Sequence, residues 1–264
     1  MKDFLYEAVC AAEKAGARLM RDFGTFRPST RGTAKEVKSR YDRLADKIVL
    51  GTLRVCFPAH SFLTEESGFI GKKSDYLWII DPVDGTGNYV NGNPFFAISI
   101  SLWHCGQPLL GLIEAPALGE RFYAELGAGA WIKNLKSGKV RRAHVSSTKD
   151  CKRAYFVYCD GGEDKKSKLV PMLSKFYPQL KDMRKLGSAA LECAWVGAGR
   201  ADAYITPRIS LWDIAAGVLF VNEAGGAVFD FDAKPYTWPR FFASETCNIV
   251  ATNGKLPRIH VPFA

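Results

Sequence analysis

Apolar positions follow a helical rhythm at the start of the chain. In residues 3–23, Phe4, Ala8, Ala11, Ala12, Ala15, Leu19 and Phe23 form one apolar stripe, closed by Gly24. A second stripe, Leu44, Ile48 and Leu53, predicts a helix over about 41–55 that stops before Pro58. Between them, the polar and basic stretch 25–40, with Pro28 and Gly32, reads as a loop or short hairpin. The rhythm then changes to that of strands. Residues 61–65 are a short strand candidate, and 76–80 form an aromatic, β-branched run with no helical period. Pro82 cannot donate a hydrogen bond, so this strand is expected to stop there. A short helical turn is expected after Thr86. Alternation predicts a strand over 95–103, then an antiparallel meander through 109–114, 121–125 and 130–133.

Beyond residue 150 the pattern is mixed. It predicts strands at 154–159, 203–205, 227–231 and 248–251. It also predicts a charged surface helix over 164–176, an apolar helix over 188–196 capped by Ser188, and a buried helix over 211–224 stopped by Gly225-Gly226. The whole reads as α+β: a single domain over 1–264, with an α+β half to about 150 and an α/β half after it.

Composition narrows the class. A chain of 264 residues, 47% hydrophobic and 24% charged, has the length and balance of a globular protein with a full core. No apolar run is long enough to span a bilayer, and Glu7, Glu13 and Lys14 interrupt any signal-peptide core. Seven widely spaced cysteines form no C-x-x-C pair, which fits reduced thiols and a cytoplasmic location. Much of the +9 net charge lies between Lys133 and Arg153, where eight Lys/Arg accompany one acid, Asp150. With no aromatic residue interleaved after Trp131, this reads as a solvated face more than a nucleic-acid surface, though nucleic acid stays open. Such a face would also steer a small anionic substrate.

The candidate chemistry sits in Trp78-Ile79-Ile80-Asp81-Pro82-Val83-Asp84-Gly85-Thr86-Gly87-Asn88. Two carboxylates held three residues apart at a strand end repel unless a cation lies between them. Oxygen donors with the Thr86 hydroxyl suit Mg²⁺ or Mn²⁺ better than zinc. On these residues alone, Asp-Pro and Asp-Gly are also ordinary turn pairs. Asp213 is equally a first-turn helix acid, Glu65 a solvated strand end, and Asp42 a first-turn helix residue.

Taken together, several stretches resemble the inositol monophosphatase family of Mg²⁺-dependent, lithium-sensitive sugar phosphatases. They are Glu65-Glu66-Ser67, the 78–88 motif with Pro94-Phe95 and Ser99, Gly187-Ser188-Ala189-Ala190, Trp212-Asp213-x-Ala215-Ala216-Gly217, and Glu223-Ala224-Gly225-Gly226. The resemblance covers about residues 3–254. It implies a layered αβαβα sandwich of the inositol monophosphatase/fructose-1,6-bisphosphatase type, usually a homodimer. It places one Mg²⁺ on Glu65, Asp81, the Val83 carbonyl and Thr86, a second on Asp81, Asp84 and Asp213, and a third, weaker site at Glu65. Mn²⁺ would serve as well. It makes Asp42 the acid that hydrogen-bonds Thr86, so that Asp42, Thr86 and Glu65 form the catalytic set that activates water for in-line phosphomonoester hydrolysis. Substrate would lie against Asp84, Gly85, Thr86, Gly187, Ser188, Ala189, Thr206 and Arg208.

Some positions depart from the family pattern. Gly87 replaces a threonine, Thr64 stands where glycine often precedes the Glu pair, and Arg31 falls where a mobile loop carries lysine. Thr206 occupies the position of the glutamate that contacts inositol hydroxyls in inositol-selective members, and a hydroxyl cannot replace a carboxylate that accepts two hydroxyl bonds. Arg208 could instead face an anion. Inositol-1-phosphate-type substrates, fructose 1,6-bisphosphate, 3′-phosphoadenosine 5′-phosphate and histidinol phosphate therefore all stay open. A regulatory role in binding RNA or protein is the alternative of another class. An aspartyl-phosphate mechanism is disfavoured, because D-x-D-G-[TV] needs an Asp where this chain has Pro82. No G-x-G-x-x-G follows a strand, which disfavours a dinucleotide fold.

Overall fold

The computed structural model describes residues 3–25, 34–159, 174, 177–238, 246–259 and 261, with 34–39 described by backbone alone. Two helices lead: α1 (Phe4–Asp22) and α2 (Ala34–Cys56). Asp3 caps α1 by accepting from the N–H groups of Leu5 and Tyr6, and the predicted alanine–leucine stripe is its buried face. Helix α2 begins at Ala34, not near Tyr41 as expected. The stretch read as loop contains Ala34, Lys35, Glu36, Lys38 and Arg40, all good helix formers.

Eight strands follow in one sheet: β1 (Ser61–Thr64), β2 (Gly68–Ile70), β3 (Tyr76–Asp84), β4 (Ala97–His104), β5 (Gln107–Ala115), β6 (Glu120–Glu125), β7 (Gly129–Asn134) and β8 (Val140–Arg142). Their order is β2-β1-β3-β4-β5-β6-β7-β8. Only the β1–β3 pairing is parallel, so the central meander is antiparallel as expected. The short edge strands β2 and β8 were not anticipated; three residues carry too little pattern to read. A second sheet, ordered β10-β9-β11-β13-β12, is built from β9 (Tyr155–Tyr158), β10 (Asp182–Arg184), β11 (Ala203–Ser210), β12 (Ala227–Phe229) and β13 (Thr246–Thr252).

Among the described residues the further α-helices with defined bounds are α3 (Thr86–Val90), α4 (Ala189–Gly197) and α5 (Leu211–Glu223). Helices α1 and α2 bury Ala8, Ala12, Leu19, Val49 and Leu53 against Trp78, Ile80, Ile98 and Ile100 on one face of the large sheet. Helices α4 and α5 fill the space between the sheets. They bury Leu191, Ala194 and Phe220 against Phe122 and Ile132 on one side, and Cys193, Ile214 and Val218 against Val157, Tyr204 and Ile249 on the other. A layer buried on both sides must be apolar nearly all round, and α4 and α5 are, apart from Glu192 of α4 and the end-turn acids of α5. The crossing of α5 over β5 needs Gly111: a Cβ there would lie 2.7 Å from the Ala216 carbonyl oxygen. Beyond the second sheet, Leu256, Ile259 and Val261 cover Phe156, Ile205 and Val250. The observed architecture is therefore a layered α+β sandwich in the order α, β, α, β, with the 256–261 segment over the outer face of the second sheet; the expected surface helix over 164–176, apart from Ser174, and the expected role of Arg31 lie outside the described residues.

Candidate active site

Strand β3 does not stop at Pro82; it continues to Asp84 with a bulge. Asp81 pairs with Ser99 and Asp84 with Ala97, so β3 carries one residue more than β4 across this interval. A bulge tolerates Pro82 because it leaves a ladder position unpaired. It also changes which way the acids point. In a regular strand, residues three apart face opposite sides. Leu77 and Ile79 face Leu211 and Ala215 of α5, and Asp81 continues that set. Trp78, Ile80 and Val83 face α1 and α2. The extra residue returns Asp84 to the side of Asp81.

Asp213 arrives on the first turn of α5, two residues beyond Leu211. It accepts from the Ser210 N–H at 3.2 Å within a capping box, so it is a helix-capping acid and a member of the cluster at once. One carboxylate oxygen from each of Asp81, Asp84 and Asp213 lies within 4.8 Å of the others. Asp81 also accepts from the Val83 N–H at 3.0 Å. Asp84 reaches the N-terminus of α4: the Ser188 hydroxyl donates to it, as do the N–H groups of Ala189 at 3.1 Å and Ala190 at 2.8 Å.

Burial and mutual repulsion disfavour charge on all three. Asp81 and Asp213 are pushed well above the usual carboxylate range, by burial first and then by the neighbouring acids, Glu65 among them. Asp84 is raised to about 6 by burial, opposed by its bonds from Ser188, Ala190 and Ala189. None of the three forms an ion pair with Lys or Arg among the described residues. An all-oxygen set, largely buried and without a cationic partner among the described residues, fits a hard divalent cation.

The other expected residues gather unevenly. Glu65 follows β1, its N–H bonded to the Ile80 carbonyl at 3.2 Å; it is exposed and stands outside the 4.8 Å group at its rim. Asp42 is buried on α2. The Thr86 hydroxyl spends its one proton on the Val83 carbonyl at 3.0 Å. Gly85 (φ +86) turns the chain into α3. A Cβ there would come within 3.0 Å of the Gly187 and Phe95 carbonyls, so Gly85 abuts Gly187 and Ser188. Asn88 ties the same two segments by donating to the carbonyls of Phe95 at 2.6 Å and Leu186 at 2.7 Å. Gly85, Thr86, Gly187, Ser188 and Ala189 thus border the acids.

Thr206 and Arg208 behave differently. Strand β11 is longer than expected, running to Ser210 with a bulge between Thr206 and Ile209. Thr206 is completely buried, so its hydroxyl presents no surface to a ligand. Arg208 is exposed on the bulge with φ +48, its N–H bonded to the Asn248 side chain at 2.7 Å.

Glu192 went unnoticed in the sequence. It is fully buried in α4 and accepts from the N–H groups of Leu186 at 2.8 Å and Gly187 at 3.1 Å, which shapes the loop before Ser188. Burial raises its carboxyl well above the usual range. The readable signal was a lone acid in the apolar run Ala189-Ala190-Leu191-Glu192-Cys193-Ala194.

The profile of the inositol monophosphatase family matches residues 1–260. A fructose-1,6-bisphosphatase/inositol-1-monophosphatase of Thermotoga maritima is 39% identical over 222 residues, covering 84% of this chain and 82% of that protein. A Nus factor SuhB of Pasteurella multocida is 36% identical over 240 residues, covering 88% and 86%. The structure of an inositol monophosphatase from Anabaena (Nostoc) superposes with a TM-score of 0.79 at 34% identity, over 96% of this chain and 91% of the other.

Proposed function

We propose a function from one premise: the chain belongs to the inositol monophosphatase family, a metal-dependent family, and is a phosphomonoester hydrolase. On this reading it hydrolyses a small sugar or polyol phosphate, of the inositol-1-phosphate type, by in-line attack of water. The observation that carries it is the convergence of Asp81, Asp84 and Asp213 within 4.8 Å beside the start of α4. Glu65, Asp81, the Val83 carbonyl and Thr86 would hold one Mg²⁺, with Asp81, Asp84 and Asp213 holding another and Glu65 serving a third. Bound there, the cations (Mg²⁺, or Mn²⁺ in its place) would supply positive charge for the phosphate oxygens, a more acidic water and stabilisation of the leaving oxygen.

The chain's own groups do the positioning. The N–H groups of Ala189 and Ala190 now donate to Asp84, and a phosphate oxygen is a competing acceptor for them. Turned from Val83 toward Asp42, the Thr86 hydroxyl would donate to that carboxylate and accept the proton of the attacking water. The water oxygen then bonds phosphorus, the ester P–O bond breaks, and the leaving alkoxide takes a proton from solvent to depart as the alcohol. The buried Thr206 supplies no partner for a polyol hydroxyl. Fructose 1,6-bisphosphate, 3′-phosphoadenosine 5′-phosphate and histidinol phosphate therefore belong in the substrate panel, with exposed Arg208 as a contact for a second anionic group. The test is phosphate release from each, with Mg²⁺ and with EDTA. Turnover that resists EDTA would sink the reading. A cytoplasmic homodimer completes it; a monomeric mass in solution would count against the dimer.

A second reading has its own observation. A cavity of about 680 Å³ is lined by Lys149, Lys152, Arg153 and Lys181 with one acid, Asp150. Asp150 accepts from the Lys152 N–H, and none of the four cations forms an ion pair among the described residues. Relatives named as Nus factors make a regulatory RNA-binding role worth testing. Salt-dependent RNA binding that survives Asp84→Asn and fails when these cations are reversed would support it.

A further inference from the structure

The β4–β5 hairpin holds a cysteine where the backbone disfavours one. Its two central residues, Cys105 (φ +50) and Gly106 (φ +79), both have positive φ, as in a type I′ turn. Gly106 suits that conformation. A cysteine does not, because its Cβ crowds the backbone there, and Asn, Asp or Gly is the usual occupant. The turn is nonetheless well pinned: His104 pairs with Gln107, and the Cys105 N–H donates to the Asp75 carbonyl at 2.8 Å. A local outlier of this kind, held by its surroundings, is a reason to look for function.

The outlier sets three donors together. One donor atom from each of Asp75, His104 and Cys105 lies within 4.8 Å of the other two. His104 Nε2 is 3.6 Å from Cys105 Sγ. Zinc–nitrogen and zinc–sulfur bonds of about 2.05 and 2.3 Å at a tetrahedral angle would put those two atoms about 3.5 Å apart. The His104 ring is steadied by stacking on Tyr76 at 4.5 Å and 28°, and Tyr76 stacks on His60 at 4.6 Å and 9°. That stack engages the ring face and leaves the nitrogen edge to a ligand.

This set differs in kind from the acid cluster. Nitrogen, sulfur and oxygen donors suit a borderline-soft ion such as Zn²⁺, whereas the all-oxygen Asp81/Asp84/Asp213 set suits a hard one. The two lie at opposite ends of β3. Asp75 precedes the strand and Asp81 is six residues on, roughly 20 Å at strand rise.

We propose that Asp75, His104 and Cys105 form a second metal site, one for Zn²⁺, with three protein ligands and a fourth position open to solvent. On binding, the Cys105 thiol gives its proton to solvent and ligates as thiolate. The site goes beyond the phosphatase reading and does not depend on it.

Co²⁺ is the probe, added to the full chain in excess Mg²⁺ so that the acid cluster is occupied. The expected result is a thiolate-to-cobalt charge-transfer band that saturates at one equivalent and is bleached by Zn²⁺. Cys105→Ser and Cys105→Asn should abolish it, and His104→Gln should weaken it. Asn accepts positive φ, so Cys105→Asn keeps the hairpin, and loss of the band in that variant is not loss of fold. Zn²⁺ affinity should fall by about tenfold or more in the same variant, while Mg²⁺-dependent phosphate release stays unchanged. No band in the wild-type chain, or a band that persists in Cys105→Asn, overturns the proposal.

Discussion

Asp84 accepts a hydrogen bond from the Ala190 N–H at 2.8 Å, across 106 positions of sequence. That bond joins the bulged end of β3 to the first turn of α4, and so couples the large sheet to the layer between the sheets. An acid placed there is held in position by the fold, by bonds from Ser188, Ala189 and Ala190.

Asp84→Asn should therefore separate chemistry from architecture. An amide oxygen can still accept from Ala189 or Ala190, while the charge is gone. Turnover is expected to drop by about 100-fold or more, with an unfolding midpoint close to that of the parent. Phosphate release and thermal melts on the same preparation decide it, and undiminished turnover would remove Asp84 from the mechanism.

The crowding of Asp81, Asp84 and Asp213 predicts an exchange of stability for activity. Without divalent cation, Asp81→Asn should stabilise the chain by about 1 kcal/mol, because one of three buried, mutually repelling acids becomes neutral. Mg²⁺ should raise the melting temperature of the parent and do so less for the variant. Calorimetry with Mg²⁺ and with EDTA checks both; a parent chain indifferent to Mg²⁺ would contradict the fit of the cluster to a cation.

Gly85 tests the closeness of the two segments. Its φ is +86, and a Cβ added to it would meet the carbonyl oxygens of Gly187 and Phe95 at 3.0 Å. Gly85→Ala should therefore cost about 2–3 kcal/mol and disturb the start of α3. Denaturant midpoints measure the cost. Gly87→Ala, inside α3 with open space around it, is the contrast and should be tolerated.

Glu192 should give the chain a pH-dependent stability. Its carboxyl is raised in the folded state by burial, so folding favours the protonated form. The contribution is full below the ordinary glutamate range and is lost as pH rises through the elevated folded value. Glu192→Gln should lessen that slope across neutral pH, the remainder coming from the raised acids Asp81, Asp84 and Asp213. Urea midpoints on both sides of neutrality are the measurement, and an unchanged slope in the variant would assign the titration elsewhere.

Local chemistry was enough to read several features. The alanine stripe of α1 is a buried face because its spacing matches the helical turn, and Ser188 caps α4 because a hydroxyl before an apolar run has a free N–H to accept from. The Asp81–Asp84 motif was legible as a paired-acid site. Its geometry was not. Proline argued for a strand end at residue 82, and only pairing with β4 shows a bulge that carries the strand on and turns both acids to one side. The burial of Thr206, the reach of Asp84 to α4 and the gathering of Asp75 with His104 and Cys105 all rest on contacts between segments distant in sequence or on register. Periodicity and capping act within a few residues, so the chain alone determines which elements form and which residues can carry chemistry. Register, bulges and the meeting of strand ends with helix starts depend on packing between elements, and only the tertiary structure decides them.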